Sequence, residues 1–93
     1  MTKSEIDAIQ IKLPTFQSGD GFIEAFTIEG IYTIEKRNDA FEAWFAKHNA
    51  ARIFNIGSSS DRGEAISMCN RHYEECARAI ISSIILTQEN DNA

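Results

Sequence analysis

Across residues 60–86, apolar side chains recur at three- and four-residue steps. Ile66, Cys69, Tyr73, Cys76, Ile80 and Ile84 fall on one stripe, with Ala77 beside them. Arg71, Glu74, Glu75, Arg78 and Ser82 fall opposite, so the pattern predicts an amphipathic helix with that side in water. Ser60 or Asp61 supplies an N-cap, and Glu64, three residues after Asp61, completes a capping-box spacing. A stripe this regular needs a surface to cover, and that surface must come from upstream.

The upstream half changes period. Residues 1–10 form a polar leader, with Ser4 placed to cap a short helical turn. Ile9, Ile11 and Leu13 alternate with polar residues and predict a short strand ended by Pro14. Residues 17–21, Gln-Ser-Gly-Asp-Gly, are the strongest turn signal. In residues 22–29, Phe22, Phe26 and Ile28 share one face and Ile23, Ala25 and Thr27 the other. Gly30 permits a turn or bulge, residues 31–37 form a second β-type run with Tyr32 and Ile34 on one side, and Asn38-Asp39 reverses the chain. Residues 41–48 fit both periods. As a helix they space Phe41, Trp44, Phe45 and His48; as a strand they put Phe41, Ala43 and Phe45 on one face and Glu42, Trp44 and Ala46 on the other. Helix propensity is slightly ahead, but turn signals on both flanks favour the strand. A further β-type run, 52–56, is closed by Gly57 and three serines. The expected fold is α+β: a three- to four-stranded antiparallel meander with one long C-terminal helix packed on one face. Residues 1–88 form a single domain and 89–93 a tail without order.

Ninety-three residues suffice for one modest core, and 43% apolar with 25% charged residues is ordinary for a soluble domain. The first ten residues lack the features of a signal peptide. The longest apolar run, 79–86, is broken by Ser82 and Ser83 and is too short to span a bilayer. A cytoplasmic protein without membrane contact is expected. The net charge of −5 disfavours direct nucleic-acid binding. Its distribution is uneven: Glu24, Glu29 and Glu35 lie in an acidic first third, whereas Lys36, Arg37, Lys47 and Arg52 form a basic strip along the middle.

Little in the chain points to catalysis. Cys69, His72 and Cys76 share a helix side at spacings that zinc tolerates, but a fourth ligand is missing. A thiol on a buried stripe also lacks the cationic surroundings that make a nucleophile. Residues 57–60 precede a helix, where anions bind, without the lysine and glycine spacing of a phosphate loop. We therefore expect no enzyme, metal or cofactor. The aromatic residues are more telling. A sheet with a helix on one side leaves its second face uncovered, and Trp44 belongs to the face opposite Phe41 and Phe45. The N-terminal half, a partner or a second copy is expected there, with a homodimer centred near Trp44 as one outcome.

The order of Ile31-Tyr32-Thr33-Ile34-Glu35-Lys36, Ala43-Trp44-Phe45, Ile56-Gly57, Glu64-Ala65 and Cys69-x-x-His72-Tyr73 resembles that of small phage and prophage proteins. The resemblance covers about half the chain and implies a strand-strand-strand-helix core of mobile-element origin. Small acidic phage proteins often inhibit host defence systems, anti-CRISPR proteins among them. It thus implies an interaction module in the cytoplasm of a bacterial host, acting on a host protein or nucleoprotein complex by surface occlusion or nucleic-acid mimicry. The residues expected to meet the partner are Trp44, the carboxylates Glu24, Glu29 and Glu35, and the basic Lys36, Arg37, Lys47 and Arg52. The alternative is a small nucleic-acid-binding regulator using the basic strip, since a three-stranded sheet backed by a helix is also the plan of phage-integrase arm-binding domains.

Overall fold

The computed structural model describes the backbone of residues 2–91 and the side-chain environments of residues 2–85. A short helix α1 (Lys3–Asp7) precedes five strands, β1 (Gln17–Ser18), β2 (Phe22–Phe26), β3 (Gly30–Arg37), β4 (Ala40–Lys47) and β5 (Ile53–Ser59). A long helix α2 (Arg62–Asp91) follows. The strands pair antiparallel in chain order, so the sheet is a meander. The expected α+β plan holds, with five strands where three to four were expected, and residues 41–48 lie almost wholly in strand β4.

The first strand is not where alternation places it. Residues 9–16 lie outside the sheet, while Gln17–Ser18, inside the expected turn, pairs with Ile23 and Glu24. Alternation is only half of a strand; the other half is a free edge to pair with, and Gln17–Ser18 takes the edge of β2. The reversal narrows to residues 19–21, where the Gly19 amide donates to the Phe22 carbonyl at 2.8 Å and Gly21 has a φ of +75°, a conformation glycine adopts without penalty. At its other end β2 stops at Phe26 because Thr27 closes a turn. Its Oγ1 donates to the Gly30 carbonyl at 2.7 Å and accepts from the Gly30 amide at 3.0 Å. Ile28 is left at the tip, 92% exposed. Gly30 is required on the next strand: a Cβ there would collide with the Ala46 carbonyl and the Phe45 ring.

Asn38, at φ 55°, makes the two-residue reversal that sets Arg37 opposite Ala40 and fixes the β3–β4 register. Between β4 and β5 the register slips by one residue, with Ala43 opposite Gly57 and Trp44 opposite Asn55. Ile56 is therefore the bulged residue, and β5 continues through Gly57 to Ser59 instead of ending there.

The core lies between α2 and one sheet face. Ile23, Ala25, Tyr32, Ile34, Ala43 and Phe45 from the strands meet Ala65 and Cys69 from the helix, with Phe16, Phe41, Ile56 and Tyr73 around them. Ala25, Ala43 and Ala65 are fully buried, and their small side chains let the helix sit close to the sheet. The helix is capped by Asp61, whose Oδ1 accepts from the Gly63 amide at 2.9 Å. The reciprocal partner is Ser59 rather than Glu64: its Oγ accepts from the Asp61 amide at 3.1 Å. Thr2, not Ser4, caps α1, its Oγ1 accepting from the Glu5 amide.

Farther along α2 the stripe loses its cover. Ile80 is 41% and Ile84 54% exposed, so these two are not core residues as their periodicity suggests. The reason is length. Thirty residues span about 45 Å at 1.5 Å per residue, whereas the eight of β4 span roughly 24 Å. The molecule measures 55 × 28 × 19 Å, with a radius of gyration of 15.7 Å against about 12 Å for a compact chain of this size. Arg78, expected in open water, is partly buried instead and donates to the Ile6 carbonyl at 2.9 Å, holding α1 against α2. The helix backbone continues to Asp91, into the expected tail, whose residues 92–93 lie outside the described residues. No helix among the described residues is long and apolar enough to cross a membrane.

Candidate interaction surface

Strand alternation divides the expected contact residues between two faces. Glu24, Thr33 and Trp44 lie side by side across β2, β3 and β4, and Glu35 lies directly opposite Glu42, all on the face turned away from α2. Among the elements of the described residues, α1 packs only on α2, and no helix packs on this face. It is an uncovered sheet surface.

Trp44 sits near its middle. The indole forms one wall of a groove of about 310 Å³, completed by Thr33, Glu35, Arg37, Ala46 and Ile53. The Arg37 guanidinium lies 6.0 Å from the ring centroid, a cation–π arrangement. Its Nη2 is 3.3 Å from Glu35 and its Nε 3.5 Å from Glu42. Two carboxylates directly opposite on antiparallel strands repel, and Arg37 relieves this by bridging both. The Arg37–Glu35 pair is solvent-exposed and adds little stability, whereas the Glu42 Oε2 that faces Arg37 is buried. The strands of this face carry Glu24, Glu35 and Glu42 against Arg37, so the field around the tryptophan is negative. The Trp44 Nε1 is buried without a hydrogen-bond partner, which costs about 1–3 kcal/mol.

The basic residues do not form a strip. Lys36 points to the opposite face from Arg37, where its Nζ lies 5.9 Å from the Phe41 ring. Lys47 ends β4 opposite Gly30, and Arg52 precedes β5 at that same end of the sheet. The two basic groups are thus roughly 24 Å apart, well beyond the screening length of about 8 Å at physiological salt. Glu29 belongs to the Lys47 end, in the turn before β3, and takes no part in the Trp44 face. Of the eight expected contact residues, the fold gathers Trp44, Glu24, Glu35 and Arg37, and sets Glu29, Lys36, Lys47 and Arg52 elsewhere. Glu42, which alternation already sets beside Trp44, and Ile53 join the surface although neither was among the expected contact residues. The Asn38-Asp39 hairpin contained the signal for Glu42, because a two-residue reversal places residue 42 opposite residue 35.

The cysteine–histidine cluster lies where α2 meets the sheet. Tyr32 Oη and His72 Nδ1 are 2.6 Å apart, in a nest where Tyr32 also meets Phe45 at 4.6 Å and Tyr73 at 6.4 Å between centroids. Burial holds the Tyr32 hydroxyl protonated far above its ordinary range. Burial likewise pushes the Cys69 thiol up to about 11, and Cys76 is raised by burial and by the nearby Glu29 and Glu75. All three shifts oppose the anionic form that metal binding or nucleophilic attack requires. Among the described residues no three His, Cys, Asp or Glu side chains are grouped to hold a metal ion. Residues 57–60 do not form a phosphate-type loop either. Gly57, Ser58 and Ser59 belong to strand β5, and the Gly63 amide at the helix start is already taken by Asp61. Comparison with family models, with curated proteins and with solved structures gave no match.

Proposed function

We propose that this chain is a small protein-interaction module whose docking surface is the uncovered sheet face around Trp44. The observation that carries this reading is an aromatic side chain at the middle of an uncovered face, set among carboxylates. Aromatic residues in such positions supply most of the binding energy at protein interfaces. The negative field selects a partner with a basic surface, such as the nucleic-acid channel of a host protein or nucleoprotein complex. Covering that channel, or presenting carboxylates where phosphates bind, inhibits it. This is the mode of action implied by the resemblance to phage inhibitors of host defence, anti-CRISPR proteins included. The regulator reading, in which the chain itself grips nucleic acid, is poorly supported because its basic groups stand at opposite ends of the sheet.

Affinity capture from a bacterial lysate with the wild type, Trp44→Ala and the double variant Glu24→Lys/Glu35→Lys tests the proposal. A partner retained by the wild type and lost by both face variants supports it; a partner that ignores both overturns it. A shifted DNA or RNA band at about 50 mM salt, where phosphate contacts are strong, would revive the regulator reading.

A further inference from the structure

A second surface lies on the helix side of the sheet. Where α2 passes the β2–β3 turn, Tyr32, Tyr73, Cys76, Ala77, Ile80 and Ile81 line an apolar groove of about 400 Å³ with Ile28 at its lip. Ile28 and Tyr73 also belong to a neighbouring depression that continues to Leu13 and Phe26. The exposures are unusual for one region: Ile28 92%, Ile84 54%, Ile80 41% and Leu13 40%. Residues 79–85 carry no charged side chain.

We infer that this surface is a homodimer interface, in which two copies of α2 cross antiparallel about Ile80 and Ile81. Three observations select a second copy as the occupant. First, the patch contains both parts of a self-complementary contact. Ile84, one turn beyond Ile80 on the same helix side, is a protruding knob, and the groove before it is a recess. A two-fold axis places the knob of each copy over the recess of the other, at the 77, 80/81, 84 spacing of a helix-pair seam. Second, the charges do not oppose self-association here. The net −5 of the chain is carried elsewhere, and the groove is bordered by one residue of each sign, Glu29 and Lys47. Third, the area suffices. Ile28, Ile84, Ile80 and Leu13, with the half-buried Tyr73, Ala77 and Ile81 of the groove, present apolar surface on the order of 500 Å² per copy, so a pair buries about 1,000 Å², the lower bound for a specific interface. The groove lies on the helix side of the sheet, so the opposite side, which carries Trp44, remains open in the dimer.

Sedimentation equilibrium on the wild type, Ile28→Glu, Ile84→Glu and Trp44→Glu tests this. The wild type is expected to be a dimer, with the first two substitutions each weakening association at least about tenfold and Trp44→Glu leaving it unchanged. Circular dichroism melts of the dilute variants verify that each remains folded, as expected for the exposed Ile28 and Ile84 and as required of the half-buried Trp44 before its result is read. A wild type that stays monomeric at its highest soluble concentration overturns the inference. So does a dimer that survives both isoleucine variants, or one that is lost with Trp44→Glu.

Discussion

The two halves of α2 have the same period and opposite surroundings. From Ala65 to Tyr73 the stripe lies on the sheet, with Ala65 and Cys69 fully buried; from Ile80 onward the same stripe has run past the strands. Periodicity records which side of a helix wants cover, but the length of the neighbouring element decides how much of it the chain itself supplies. The uncovered remainder is a surface available to something else, and the comparison of the halves makes that quantitative.

The strongest way to break the comparison is a charge in each half. Ala65→Asp places an unpartnered carboxylate in the core and should cost upwards of about 4 kcal/mol, enough to unfold much of a small domain. Urea titration against the wild type measures it. An equal loss for Ile84→Asp in dilute monomer would mean that the two halves are equally buried.

Alkaline pH probes the covered half through Cys69. The Cys69 thiol rises from an ordinary 9.0 to about 11 in the fold, so the unfolded chain ionises first and holds fewer protons in that window. Stability is then fully present below pH 9 and is lost as pH rises toward 11. Cys69→Ala should flatten this part of the stability profile, and a slope unchanged by the substitution would remove Cys69 as its source. Tyr32→Phe should cost about 1–2 kcal/mol, because the 2.6 Å contact to His72 is lost inside the core. Arg78→Ala should cost about 1 kcal/mol and accelerate amide exchange in α1, whose Ile6 carbonyl it holds. Smallest of all, Ile84→Asp should change monomer stability by about 0.5 kcal/mol or less, read from the same urea titrations.

The faces of the sheet were legible from the sequence because alternation is local. Ile23 with Ala25, Tyr32 with Ile34, and Ala43 with Phe45 all turn inward, and Trp44 turns outward, as their spacing predicts. The failures share a different cause: each needed knowledge of a distant neighbour. Ile9, Ile11 and Leu13 alternate without a strand edge to join. Ile80 follows the helical stripe beyond the end of its sheet. Lys36, Arg37, Lys47 and Arg52 look clustered in one dimension, but the pleat divides the first two between faces and the length of β4 carries the second pair to the far end. The open face could be expected from the surplus of aromatic residues; that α1 would pack on α2 through Arg78 and leave it open could not, because the contact joins residues 6 and 78.

The chain-order meander also has a consequence in time. All five strands are complete at Ser59, before any of α2 has been synthesised, and each pairs with the strand just made. At about 5–20 residues per second, the thirty residues of α2 take roughly 2–6 seconds to follow, whereas hairpins form in microseconds. The strands leave the ribosome one after another while α2 is still being made or lies in the exit tunnel, so the first hairpins can pair with Tyr32 and Ile34 facing water. The nascent chain is most vulnerable to aggregation in those seconds, and a chaperone that shields flat apolar surfaces would act on it then.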